Sequence, residues 1–270
     1  MRVKTIKNEL QRLKKFSCGD RCVLSVYLST NPGDPEQLNG GWKLHLKSGL
    51  KRIEEYIQAS DDPKELKAFK SLREKVTKEI ESNMNSLRKS VVIFASANPE
   101  LWSVHYVQVP VRKTSFHWES HPVTEELEYM YKAYPEAGII LPSFGEVRIL
   151  DTSMGFVHGE LTFEFDPNLE GWAEGRRNMS DAHNTTSGGS TRIDGIEPRL
   201  RENLQRFYKG MGEIVERLKK QLGWDAVYIT GEADHANAFA ATLRHKPAGT
   251  IYKNLNNSKA QDVIHQVLEK

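Results

Sequence analysis

Seven apolar residues, Leu200, Leu204, Phe207, Met211, Ile214, Val215 and Leu218, recur at intervals of three and four inside one uninterrupted stretch, Glu197–Leu222. That spacing aligns them along one face of a long helix. The same stretch carries seven Lys or Arg and four Glu, so the opposite face belongs to solvent. A helix of this kind needs a surface to bury against, and the runs around it read as strands: Ala137–Leu141, Glu146–Asp151 and Phe156–Phe165 before it, Ala226–Thr230 and Gly249–Tyr252 after it. Helical spacing returns at His235–Leu243 and Ser258–Leu268. Strands interleaved with amphipathic helices predict an α/β fold for this half of the chain.

The first half repeats that grammar with different elements. Val3, Ile6, Leu10 and Leu13 share a helical face, Cys22–Ser29 is strand-like, and Trp42, Leu46, Leu50, Ile53 and Ile57 mark a second helix. Asp62-Pro63-Lys64-Glu65 is a helix start, with Asp accepting from orphan amides, Pro tolerated in the first turn and Glu reaching back. Leu66, Phe69, Leu72, Val76, Ile80, Met84 and Leu87 continue that helix as an apolar stripe, followed by strand-like Ser90–Ser96 and Leu101–Val109 and a short helix at Thr124–Tyr134. The expected boundaries are an N-terminal α/β domain over 1–130 and a second domain over 131–270.

Composition excludes several classes of function. Of the 270 residues 38% are hydrophobic and 27% charged, as expected of a globular protein, and no window is apolar enough to span a bilayer. The N-terminal segment is charged throughout and lacks a signal-peptide core, so the reading is cytoplasmic, with no membrane partner. Lys and Arg total 38 against 36 Asp and Glu, a net charge of +2, which argues against a polycation coating DNA and leaves RNA contact to a local patch. Cys18 and Cys22 have no second Cys or His pair at zinc spacing, and are expected to be thiols. No metal and no cofactor are expected. His117, His121, His183 and His235 lack metal-ligand spacing, and a nuclease would need clustered carboxylates where Ala137–Leu141 has none and Asp151 stands at a strand end.

From Asp166 to Gly195 apolar periodicity stops and Gly, Ser, Thr and Asn accumulate. A stretch of that length inside a compact domain is functional or disordered. Its candidate site is Gly188-Gly189-Ser190, with Arg176 and Arg177 before it and Arg192, Arg199, Arg201, Arg206 and Lys209 after it. Paired glycines let a backbone approach a substrate closely and present its amides, which suits an ester whose carbonyl oxygen gains negative charge under water attack. The cations would meet RNA phosphates. The plainer reading is a mobile surface segment beside a solvated helix face. His183, the one histidine in the loop, offers a base, although a lone His in a polar loop is usually solvated. Trp172 would stack on an exposed base or pack the loop onto its domain.

The order of elements, three strands, a Gly-Gly loop, a long basic helix, then strand, helix, strand, helix, resembles the middle domain of archaeal and eukaryotic class-one release factors. The resemblance rests on Gly188-Gly189-Ser190, on the run from Pro198 to Leu218 seven residues later, and on the apolar strand from Val227 closing on Gly231 and Asp234. The wording of Ser25–Thr30 (SVYLST), Gly41–Leu50 (GWKLHLKSGL), Phe116–Trp118 (FHW) and Arg148–Thr152 (RILDT) is similar to the Vms-one-like branch of the bacterial archaeo-eukaryotic-type release factors. The resemblance implies an RNase H-like middle domain with a long flexible Gly-Gly loop, and release of nascent chains from peptidyl-tRNA on the ribosome, with ribosome and tRNA as partners. Gly188 and Gly189 match the family's two glycines, but Ser190 stands where the family has Gln. No Gln lies anywhere between Asp166 and Gly195, which leaves two readings open: hydrolysis supported by the backbone amide, or a non-catalytic module that binds ribosome or RNA. Neither a stop-codon-reading Asn-Ile-Lys-Ser motif nor a recognisable third domain for a partner GTPase is present, which argues against ordinary termination.

Overall fold

The computed structural model describes residues 6–97, 100–165, 173–175 and 197–269. The chain divides into two compact units, Met1–Ala133 and Tyr134–Lys270.

In the first unit α1 (Ile6–Lys15) leads into β1 (Val23–Ser29), and α2 (Gly41–Ala59) and α3 (Pro63–Ser82) precede β2 (Ser90–Ser96), β3 (Trp102–Val107), β4 (Ser115–Glu119) and α4 (Glu125–Ala133). The strands form one antiparallel sheet in the order β3-β2-β1-β4. The central strands β1 and β2 are buried almost throughout, which is why their sequences run apolar without alternation. Leu24, Val26, Leu28, Val91, Ile93 and Ala95 face α2 and α3 in one core. The opposite face holds Tyr27, edge-on to Phe94, with its hydroxyl donating to the Val123 carbonyl just before α4.

Three expectations for this unit need correction. The stripe through Met84 and Leu87 is not all helix: α3 ends at Ser82, capped at Asn83, and a 3-10 turn follows. Asp62 does cap α3 by accepting from the amides of Lys64 and Glu65, but Glu65 does not reach back; its carboxylate accepts from Trp118 Nε1 at 2.7 Å and pairs with Arg21. Cys18 and Cys22 are disulfide-bonded rather than free thiols. The amides of both donate to the end of β4, at Ser120 and Glu119, and this brings their Cα atoms to 6.5 Å, within bridging range.

The second unit is built on a six-stranded mixed sheet in the order β10-β9-β5-β6-β7-β8. β5 (Ala137–Pro142), β6 (Glu146–Ser153) and β7 (Phe156–Glu164) form an antiparallel meander, with the three-residue β8 (Ala173–Gly175) on its edge. On the other side of β5 lie β9 (Ala226–Thr230) and β10 (Gly249–Ile251), both parallel to it. A meander continued by two strands parallel to its first strand gives the mixed α/β class that the resemblance implies. α5 (Glu197–Leu222) and α6 (Ala233–Ala240) cover one face, where Leu204, Phe207, Met211, Ile214 and Val215 meet Ile140, Ile149 and Phe163. α7 (Ala260–Leu268) serves the other face, where the buried Arg148 donates to the carbonyls of Asn256 and Ser258 ahead of that helix and pairs with Glu160.

Gly138 on β5 marks a close approach, because a Cβ there would lie 2.4 Å from Trp224, whose Nε1 donates to Asp151 at 2.6 Å. Gly138→Ala must displace a buried indole already held by a hydrogen bond, so urea denaturation should show a loss of about 2 kcal/mol, as overpacked sites do. In the first unit His105 sits under α1, and burial lowers its pKa although the nearby Glu9 carboxylate pulls it back up. The unfolded chain therefore binds the proton first. The contribution is complete above the unfolded value of about 6.5 and is lost as pH falls through the lower folded value. Denaturation between about pH 8 and pH 5 should show stability falling toward acid, and His105→Leu should flatten that fall.

Candidate functional site

Of the residues singled out from sequence, Arg176, Arg177, Gly188, Gly189, Ser190 and Arg192 lie outside the described residues, as do Trp172 and His183. Arg199 falls in the first turn of α5, and its side chain is also outside them. Arg201, Arg206 and Lys209 are exposed on α5. At 100° per residue these three fan over about 140° of the circumference, on the side away from the apolar stripe. Arg206 pairs with Glu202 one turn earlier at 2.6 Å. An exposed pair of that type contributes only about 0.3–0.5 kcal/mol, so Arg206 can exchange its carboxylate for a phosphate at little cost. With 26 residues α5 is about 39 Å long, and its first turn adjoins the segment that carries Gly188 and Gly189.

The sequence reading missed the crevice that the N-terminal half of α5 helps to form. The chain leaves β5 toward β6 on one side of the sheet and leaves β9 through α6 toward β10 on the other. The carboxyl ends of these adjacent parallel strands thus bound a topological switch point, where α/β sheets open a cleft. Here the cleft has a volume of about 760 Å³, with α5 as one wall and the start of α6 as another. Tyr208 anchors it. Its hydroxyl donates to the Ser143 carbonyl at 2.7 Å and lies 3.0 Å from His235 Nδ1. The one phenolic proton is committed to Ser143, so His235 Nδ1 must carry its own proton and donate to the phenol. In the neutral ring, Nε2 is then left as an acceptor. Burial pushes the Tyr208 phenol well above its ordinary pKa, which keeps that proton in place. His235, expected to be a surface or packed residue, is therefore partly buried with its tautomer set by a neighbour.

A second polar group looks catalytic at first sight and is not built to be. Ser103 Oγ lies 2.8 Å from His105 Nε2 and donates to the buried Glu9 at 2.6 Å, while Glu9 is also held by Arg12. A serine activated for attack gives its proton to the imidazole. This one gives it to the carboxylate, so the histidine can only donate, and the network pins α1 to the sheet. Asp151, the carboxylate weighed for a nuclease, is occupied by Trp224.

Sequence comparison adds the chain's relatives. Residues 135–269 match the bacterial archaeo-eukaryotic release factor family 5. A protein of Bacillus subtilis (strain 168), described as uncharacterized protein YocB, is 29% identical over 248 residues, 92% of each chain. Two solved structures, the archaeal translation termination factor aRF1 and one described as an archaeal protein, align with 97% of this chain and 72% of their own. Their identities are 15% and 14% and their TM-scores 0.36 and 0.35, a likeness too distant to carry functional argument. The match over 135–269 spans the whole meander, the Gly-Gly segment, the basic helix and the parallel strands that bound the cleft, and by it the chain belongs to the bacterial archaeo-eukaryotic release factors.

Proposed function

We propose that this protein works in translation at the ribosome, hydrolysing the ester of peptidyl-tRNA on stalled complexes. The observation that carries the reading is family membership over a region containing both Gly188-Gly189-Ser190 and α5. Exposed Arg201, Arg206 and Lys209 would meet rRNA or tRNA phosphates, an interaction that positions without reading sequence. Arg176, Arg177, Arg192 and Arg199 would extend the same patch from the adjoining segment.

In the proposed reaction water attacks the acyl carbon, its oxygen bonds to that carbon, the bond from carbon to ribose oxygen breaks, and the ribose oxygen takes a proton. Negative charge builds first on the carbonyl oxygen and then on the leaving oxygen. Main-chain amides at Gly189 and Ser190 would stabilise either without exchanging protons. The Ser190 hydroxyl adds one donor in place of the two donors and the acceptor that a Gln amide carries. That departure favours a second reading, in which the protein occupies the ribosome and does not cut.

Single-turnover release from purified ribosome–peptidyl-tRNA complexes separates the two. The unaltered protein should free the peptide, and Gly188→Val with Gly189→Val, whose branched side chains would hold the ester away from amides that are still present, should slow release by roughly 100-fold, the scale of one oxyanion donor put out of reach. Co-sedimentation with ribosomes should survive those changes and weaken as salt rises. Intact ester at saturating protein, with co-sedimentation preserved, would leave the binding module as the function.

A further inference from the structure

We infer that the cleft between β5, β9 and the N-terminal half of α5 is a binding site for an unpaired guanine nucleotide, a role independent of ester hydrolysis. At about 760 Å³ it lies in the range of small-molecule sites, and it opens at the switch point of the sheet.

Its lining matches the parts of such a ligand. Phe144, at the tip of the turn joining β5 to β6, is 51% exposed and stands 6.5 Å from the His235 ring. A large aromatic held at a cleft mouth offers its face to a base. Asp234 and Arg201 also line the cleft, both exposed, and neither side chain has a hydrogen-bond or ion-pair partner among the described residues. The neighbouring Glu232 is different, since Asn254 already donates to it. The cleft therefore presents one open carboxylate, one open guanidinium and the acceptor nitrogen of His235.

Those groups select among bases. A carboxylate binds best to two adjacent N–H donors that it can meet with both oxygens. Guanine alone offers such a pair on its pairing edge, at N1 and N2. Adenine and cytosine place an acceptor beside their amino group, and uracil has a single N–H between two carbonyls, so against Asp234 each would set oxygen toward a lone pair. Arg201 would pair with the phosphate, and His235 Nε2 would accept from a ribose hydroxyl. A splayed guanine in RNA and a free guanine nucleotide share this chemistry.

Calorimetric titration of the full chain with GMP, AMP, CMP and UMP tests the assignment. GMP should bind at least roughly tenfold more tightly than AMP, and Asp234→Asn should lower GMP affinity by about tenfold and erase the preference. Phe144→Ala should weaken all four nucleotides by about tenfold, the scale of one lost stacking contact. A short single-stranded RNA with one guanine assigns the source: tighter binding than GMP points to a splayed base, and equal or weaker binding to a free nucleotide. No saturation by any nucleotide at about 5 mM, or equal affinity for GMP and AMP, would overturn the site. Ribosomes are absent from this experiment, so its failure leaves the release reading untouched.

Discussion

Burial of one face of α5 against the meander is the constraint on which the second unit depends. Phe207, Met211, Ile214 and Val215 are almost entirely removed from water, and each large side chain so buried contributes about 1.5–3 kcal/mol. The stripe fixes how the helix is rotated, and rotation decides the rest. It turns Tyr208 inward to the end of β5, Arg201 toward the cleft and Arg206 with Lys209 to solvent. The first turn of the helix is therefore delivered to one end of the sheet, where the Gly-Gly segment joins it. Apolar packing and cationic display come from the same periodicity.

Polar contacts refine what the apolar faces place. In each unit a buried hydroxyl gives its one proton to an acceptor and leaves a histidine nitrogen with a defined role: Ser103 with Glu9 and His105, Tyr208 with Ser143 and His235. The arrangement is alike and the outcome differs. His105 is used up holding α1 to the sheet, whereas His235 keeps a ring nitrogen beside an open cleft. The difference lies in what covers each ring, a packed helix in one unit and a gap between strand ends in the other. Proximity of Ser, His and Glu is thus no evidence of catalysis until the direction of each hydrogen bond is assigned.

The chemical question raised by Ser190 also reduces to hydrogen-bond supply. Losing the Gln amide removes side-chain donors and an acceptor but leaves the peptide N–H, which no substitution other than proline removes. The fold places the segment, and the chemistry follows from the donors that the segment carries.

Much of the architecture was legible in the sequence, because it rests on local periodicity. The stripe of α5, the apolar runs of β1, β2 and β5, the Asp62 cap and the meander all follow from spacing within a few residues. Short edge strands were not legible: β4 at Ser115–Glu119 has mixed polarity, and the three residues of β8 are held by pairing rather than propensity. Nor was the cleft, since Phe144, Arg201 and the neighbouring Asp234 and His235 come from three separate stretches of the chain that only folding brings together. Sequence alone determined the long helices and central strands, the family and the Ser190 departure, because these are properties of neighbouring residues. Tertiary structure alone decided that Glu65 holds Trp118 and that Cys18 meets Cys22. It also decided that side chains from three separate elements share one cavity, because strand order and helix rotation emerge only when distant faces are buried together.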